Sequence, residues 1–156
     1  MYLPASFVDK KICIVGLGYV GLTLAVAMAE VGFDVYGVER DERVVDVVKS
    51  GRAHFSEVGL DERLARQVAA GRLVASNEWP EPGASSVYTI TVGTPIKDGA
   101  TTLDAIRSVT MSISRLIKNG DMVVLRSTVR IGVSRELVKP ILDKAVSSFS
   151  LAFCPE

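Results

Sequence analysis

The stretch Lys11-Ile-Cys-Ile-Val-Gly16-Leu-Gly18-Tyr-Val-Gly21-Leu constrains this chain more than any other. An apolar run of strand type leads without a break into G-x-G-x-x-G. An alanine-rich helical stretch, Leu22 to Val31, follows it. Each glycine in that frame has its own task. Gly16 permits a tight strand-to-helix turn, Gly18 lets a pyrophosphate approach bare backbone, and Gly21 lets the helix pack close to the sheet. The helix N-terminus then offers unpaired N–H groups and a partial positive charge to phosphates. Glu39 closes the next β-rich run 18 residues after Gly21 and is placed to accept hydrogen bonds from an adenosine ribose. A G-x-G-x-x-G alone is also met as a plain glycine-rich turn. With strand, helix and acid together, dinucleotide binding is the favoured reading.

Short β-rich runs alternate with helical patterns along the rest of the chain. Strands are expected at 11–15, 34–39, 72–75, 87–92, 121–126 and 149–153. Helices are expected at 18–31, 42–50, 61–70, from 102 or 103 to 118, and at 132–146, the last kinked or interrupted by Pro140. Pro95 and Gly99 mark 93–101 as a loop without regular structure. Apolar strands alternating with helices imply an α/β, Rossmann-like, doubly wound and mainly parallel sheet of about six strands, with helices on both faces. Ligands of such sheets lie across the strand carboxyl ends.

Composition narrows the class. The 156 residues suit a single domain and are 48% hydrophobic, enough for a sizeable core. Eighteen basic residues balance eighteen acidic ones, which argues against a nucleic-acid or anionic-membrane surface. No apolar run approaches a membrane span, and residues 1–11 do not read as a signal peptide. Two cysteines form no disulfide framework, which fits the cytoplasm, and one histidine builds no metal cluster with them. No metal site is expected.

Three further loops sit at strand ends. Val92-Gly93-Thr94-Pro95 offers a bulk-free glycine and a hydroxyl beside the ligand, or else simply ends a buried strand. In Arg126-Ser127-Thr128-Val129, Ser127 and Thr128 either donate to a ligand or cap the following helix. In Phe153-Cys154-Pro155-Glu156, Glu156 is either a general base or a solvated carboxylate. Cys13 is expected to be buried and inert. Cys154 lies nearer the crevice, with no basic partner apparent. His54 reads as solvated or hydrogen-bonded structure rather than a proton carrier. Trp79 reads as packing under a loop, and the Glu/Arg mixture of 61–72 as a solvated helix face.

Taken in order, K-I-x-I-V-G-L-G-Y-V-G-L, the acid after the second strand, V-G-T-P, S-T-V and C-P-E resemble the N-terminal cofactor domain of the UDP-glucose/GDP-mannose dehydrogenase family. The stretch Gly51-Arg-Ala-His-Phe-Ser-Glu57-Val-Gly-Leu60 is similar to a family loop with a Glu before a leucine. The resemblance covers about Lys10 to Glu156. It implies an NAD-dependent nucleotide-sugar 6-dehydrogenase of polysaccharide biosynthesis. Such enzymes oxidise the sugar C6 alcohol to a carboxylate with two NAD, through a thioester on a cysteine of a C-terminal domain. It further implies that Gly16, Leu17, Gly18, Tyr19, Val20 and Gly21 cradle the pyrophosphate. Glu39, with Arg40 beside it, would serve the ribose. Val92, Gly93, Thr94, Pro95, Ser127 and Thr128 would line the cofactor. Thr128 would arrange the catalytic water, and Glu156 would serve thioester hydrolysis.

The departures are few. Arg130 follows S-T-V where the family usually has proline, and Glu39 stands where many members have Asp. Arg40 offers a partner for a 2′-phosphate, yet the acid favours NAD over NADP. The chain ends directly after a strand, so the central helical and C-terminal nucleotide-sugar domains are expected to be missing. On this reading 1–156 binds NAD but is inactive alone, and the full-length protein is a homodimer. The alternatives are a free-standing NAD-binding regulatory module and the cofactor domain of a β-hydroxyacid-type dehydrogenase.

Overall fold

The structure is a computed structural model that describes residues 9–97 and 100–155; Gly99 and Glu156 lie outside them. The chain runs β1 (Lys11–Val15), α1 (Tyr19–Val31), β2 (Asp34–Val38), α2 (Glu42–Lys49), α3 (Leu60–Ala69), β3 (Leu73–Ser76) and β4 (Val87–Ile90). It continues through β5 (Ile96–Lys97), β6 (Ala100–Thr101), α4 (Asp104–Ile113), β7 (Met122–Leu125), a π-helical turn (Ser134–Val138), α5 (Lys139–Leu142) and β8 (Ser150–Phe153). Six strands form one sheet in the order β3-β2-β1-β4-β7-β8, and every neighbouring pair is parallel. This is the Rossmann-like, doubly wound α/β sheet. The sheet grows outward from β1 in one direction, then restarts on its other side at β4. A crevice opens where the order reverses, above the carboxyl ends of β1 and β4.

The two faces of β1 show why both sides need helices. Ile12 and Ile14 point into an apolar layer with Leu22, Ala25 and Val26 of α1, Val45 and Val48 of α2, and Leu60 and Leu64 of α3. Cys13 and Val15 point into the opposite layer with Ile106 and Ile113 of α4, Leu137, Val138 and Leu142. Alternate residues of one strand therefore serve two cores, and a strand buried on both faces reads as unbroken apolar sequence.

Three elements differ from the sequence-based expectation. The span 93–101 is not wholly irregular, because β5 and β6 pair antiparallel, Ile96 with Thr101 and Lys97 with Ala100. The helix expected over 132–146 splits into the π-helical turn and α5, with Pro140 in the first turn of α5. Proline brings no N–H and crowds the preceding turn, and a widened turn accommodates both. The helix from residue 104 ends at Ile113 rather than Lys118. There the Ser114 hydroxyl donates to the Met111 carbonyl at 2.8 Å, and the Arg115 and Leu116 N–H groups bond three residues back, to the Ser112 and Ile113 carbonyls.

Two buried groups make the fold sensitive to alkali. Burial pushes the Cys13 thiol from its ordinary 9.0 up to about 12. Burial, then the Asp121 carboxylate, pushes the Tyr88 phenol from 10.0 up to about 12. Both folded values lie above the unfolded ones. Their contribution to stability is therefore complete below about pH 9 and is lost as pH climbs towards 12. The Tyr88 hydroxyl has no hydrogen-bond partner among the described residues. Tyr88→Phe is therefore expected to cost less than about 1 kcal/mol near neutral pH, or to stabilise, and to flatten the alkaline loss. Thermal unfolding of both proteins across the alkaline range measures this; a loss above about 2 kcal/mol at neutral pH would mean the hydroxyl has an acceptor.

Candidate functional site

The turn between β1 and α1 is built by contact rather than by loop length. Gly16 adopts φ +95°, a conformation that side chains disfavour, and its N–H donates to the Val38 carbonyl at 2.8 Å. The α-carbon of Gly21 sits against the Gly16 carbonyl and the Thr91 side chain. A methyl group placed there would overlap the carbonyl and come within 2.7 Å of Thr91 Oγ1. Thr91 donates to the Val15 and Gly16 carbonyls at 2.8 and 2.7 Å, tying the end of β4 to the end of β1. At Gly18, by contrast, an added methyl would meet nothing within 4 Å. Gly18 is the N-cap of α1. It provides no side-chain cap, and no acid lies in the helix's first turn. Among the described residues its N–H meets no protein acceptor.

Glu39 lies just past β2 and faces this turn. Its carboxylate accepts from the Leu17 N–H at 2.8 Å and from the Asp41 N–H at 3.1 Å. A carboxylate has about four acceptor positions, so about two stay open towards the cleft. Gly16, Gly18, Glu39, Arg40, Val92, Gly93 and Pro95 line one cleft of about 710 Å³.

The remaining expected site residues that the structure describes surround that cleft without lining it. Leu17 is wholly buried and packs on Gly37 of β2, so only its backbone faces the turn. The Tyr19 ring turns outward against Phe55, and its hydroxyl donates to Glu57 at 2.8 Å. Val20 is partly buried on the helix's first turn. Ser127 is buried and donates to the Val92 carbonyl at 2.7 Å, while Thr94 donates to the Thr128 carbonyl at 2.9 Å. These two bonds brace the loop after β4 against the loop after β7. Neither Ser127 nor Thr128 caps a helix, because the next helical segment starts only at Ser134, with Val133 before it.

Several residues of the region were not singled out in the sequence. Thr91 is a polar residue ending an apolar strand. Asp104, Ser108 and Ser112 of α4 face the cleft at a four-residue spacing that the sequence carries openly. Asn77 and Trp79 also line it, so Trp79 is more than packing under a loop. The face of α3 is not wholly solvated: Arg63 holds Glu30 of α1 with two bonds, 2.9 and 2.6 Å, and this keeps the Glu30 carboxyl below its usual range. Cys154 does have a basic neighbour, since an Arg126 Nη1 donates to its sulfur at 3.6 Å. Arg130, in the family's proline position, pairs with Glu136 at 2.7 Å. Among the described residues no cluster of His, Cys, Asp and Glu could hold a metal, and no helix is long and apolar enough to cross a membrane.

A sheet reversing at β1/β4, with a glycine turn and a facing acid at that point, defines a dinucleotide-binding domain. Residues 10–156 match the model of the UDP-glucose/GDP-mannose dehydrogenase family, NAD binding domain, and the chain belongs to that family. It is 31% identical to the UDP-N-acetyl-D-mannosamine dehydrogenase of Campylobacter jejuni, over 94% of this chain and 39% of that protein. It superimposes on a UDP-glucose dehydrogenase from Pyrobaculum islandicum with a TM-score of 0.87 at 30% identity, covering 100% of this chain and 38% of that one. A GDP-mannose dehydrogenase from Pseudomonas aeruginosa, solved as a ternary complex, gives 0.85 at 31% identity, covering 93% and 36%. The chain thus spans little more than a third of the length of these relatives. The family domain indicates NAD as cofactor. The residues present fit it: a bare glycine backbone with an unclaimed N–H, and an acid with open acceptor positions.

The two glycines separate packing from access. Gly21→Ala forces a methyl group onto backbone and is expected to cost at least about 2 kcal/mol, whereas Gly18→Ala should change stability by less than about 1 kcal/mol. Chemical denaturation of the two variants checks this; equal losses would contradict the assigned geometry.

Proposed function

We propose that this chain is the NAD-holding part of a nucleotide-sugar 6-dehydrogenase, and that Gly16–Gly21 and Glu39 carry the binding. The observation behind this is the placement of the unclaimed Gly18 N–H and the Glu39 carboxylate on the rim of one cleft. In this reading the pyrophosphate lies over Gly18 and the N-terminus of α1, held by backbone N–H groups. Glu39 accepts from the adenosine ribose hydroxyls with its two open positions. Arg40 and Trp79 flank that end, and Val92, Gly93, Thr94 and Pro95 carry the cleft towards the loop holding Ser127 and Thr128.

NAD, when bound, supplies the two-electron acceptor. Oxidation of a C6 alcohol to a carboxylate releases four electrons, so two NAD are used in succession. The Thr128 hydroxyl, on the exposed side of the braced loop, would orient the hydrolytic water, with Glu156 as its partner in thioester hydrolysis. Sugar binding and the cysteine nucleophile belong to further domains of the whole enzyme. On this account the isolated chain binds NAD but oxidises no nucleotide sugar, and the whole enzyme is a cytoplasmic homodimer. Neither Cys13, buried with its thiol held protonated, nor Cys154 has a role in the chemistry.

Isothermal titration calorimetry tests the binding. NAD should bind at least about tenfold tighter than NADP, about 1.4 kcal/mol, because the Glu39 carboxylate opposes a 2′-phosphate. Glu39→Ala should weaken NAD by about tenfold or more, and Gly18→Ala should weaken it while leaving the fold intact. Failure of the unaltered chain to bind NAD at millimolar concentration would overturn the proposal.

A further inference from the structure

The loop between α2 and α3 closes over the outside of the glycine turn. It leaves α2 through Gly51 at φ +77° and joins α3 through Gly59 at φ +73°. Asp61 anchors it by accepting from the Ala53 N–H at 2.7 Å. From it, His54 Nε2 lies 2.8 Å from the Leu17 carbonyl oxygen. A carbonyl only accepts, so the ring nitrogen facing it carries the proton. The His54 ring meets Phe55 edge-on at 4.9 Å, and Phe55 meets Tyr19 at 4.9 Å. The Tyr19 hydroxyl returns to Glu57 of the same loop.

Leu17 is thereby fixed at three points. Its side chain is buried on Gly37, its N–H is held by Glu39 and its carbonyl by His54. The Leu17–Gly18 peptide is planar and trans, so its C=O and N–H point in opposite directions. Holding the carbonyl on the loop side aims the Gly18 N–H away from the loop. Gly18 lines the cleft, and Leu17 does not. A rotated peptide would present a carbonyl oxygen to that space and repel an anion there.

We propose that His54 is a positioning residue for the phosphate-binding turn: it pins the Leu17 carbonyl so that the Gly18 N–H, not an oxygen, faces the dinucleotide pyrophosphate. This rests on the reading that the cleft takes NAD. It gives His54 a role that proton transfer does not require. The imidazole donates through Nε2 whether neutral or protonated.

The test compares the unaltered chain with His54→Phe, His54→Asn and His54→Gln, using NAD and, separately, adenosine, which lacks the pyrophosphate. Calorimetry should show His54→Phe and His54→Asn binding NAD at least about tenfold more weakly, since one keeps the ring and the other the polarity but neither delivers a donor to Leu17. His54→Gln, whose amide nitrogen reaches about as far as Nε2, should restore affinity to within about threefold. Adenosine affinity, followed by NMR titration, should be the same in all four. Unchanged NAD affinity in His54→Asn overturns the inference and leaves the NAD reading standing. So does equal weakening of NAD and adenosine, which would mark a general loosening of the cleft. Absence of NAD binding by the unaltered chain instead overturns the reading beneath it.

Discussion

The contact of the Gly21 α-carbon with the Gly16 carbonyl is the constraint on which the rest depends. It allows α1 to begin after only three intervening residues, Gly16 to Gly18, beyond β1. The Thr91 hydroxyl completes this contact by binding the Val15 and Gly16 carbonyls from β4. The central strands and the first helix therefore share one point of closure at the sheet's reversal. There the two halves of the fold leave a crevice. Any side chain at Gly21 would lift the helix off the sheet and close that crevice from behind.

The same turn resolves its backbone polarity in an orderly way. The Gly16 N–H goes to β2, the Leu17 N–H to Glu39, and the Leu17 carbonyl to His54. What stays unsatisfied by the described residues, the Gly18 N–H, faces the cleft. Buried backbone groups are nearly always paired, so an unclaimed donor on a cleft rim at a helix N-terminus marks the place where a ligand acceptor fits. Glu39 serves two ends at once. It orders the turn through one part of its carboxylate and keeps acceptor positions for a sugar. That dual use explains why an acid at the end of β2 matters to the fold as well as to the ligand.

Much of this was legible in the sequence because it depends on short-range rules. Unbroken apolar strands, glycine at helix ends and the G-x-G-x-x-G frame revealed the doubly wound sheet and the position of its crevice. What escaped depends on long-range pairing. Nothing near Ser127 in sequence shows that its hydroxyl is spent on Val92, thirty-five residues away. The pairings of His54 with Leu17 and of Arg63 with Glu30 likewise join segments that only the folded chain brings together. Trp79 packs against the core below its loop and also lines the cleft beside Val92 and Asn77, a second contact that only the folded chain creates. The π-helical turn before Pro140 is a compromise between a helix-forming stretch and a residue that cannot donate. Periodicity predicts the conflict but not its resolution.

The account stands on one claim: the dinucleotide enters at the β1/β4 reversal with its pyrophosphate on the glycine turn. A crystal structure of the chain grown with NAD measures this directly. The account predicts phosphate oxygens within hydrogen-bond distance of the Gly18 N–H, both adenosine ribose hydroxyls on Glu39, and the Leu17 carbonyl still on His54. A dinucleotide bound elsewhere, or lying in the cleft with its ribose away from Glu39, would contradict it.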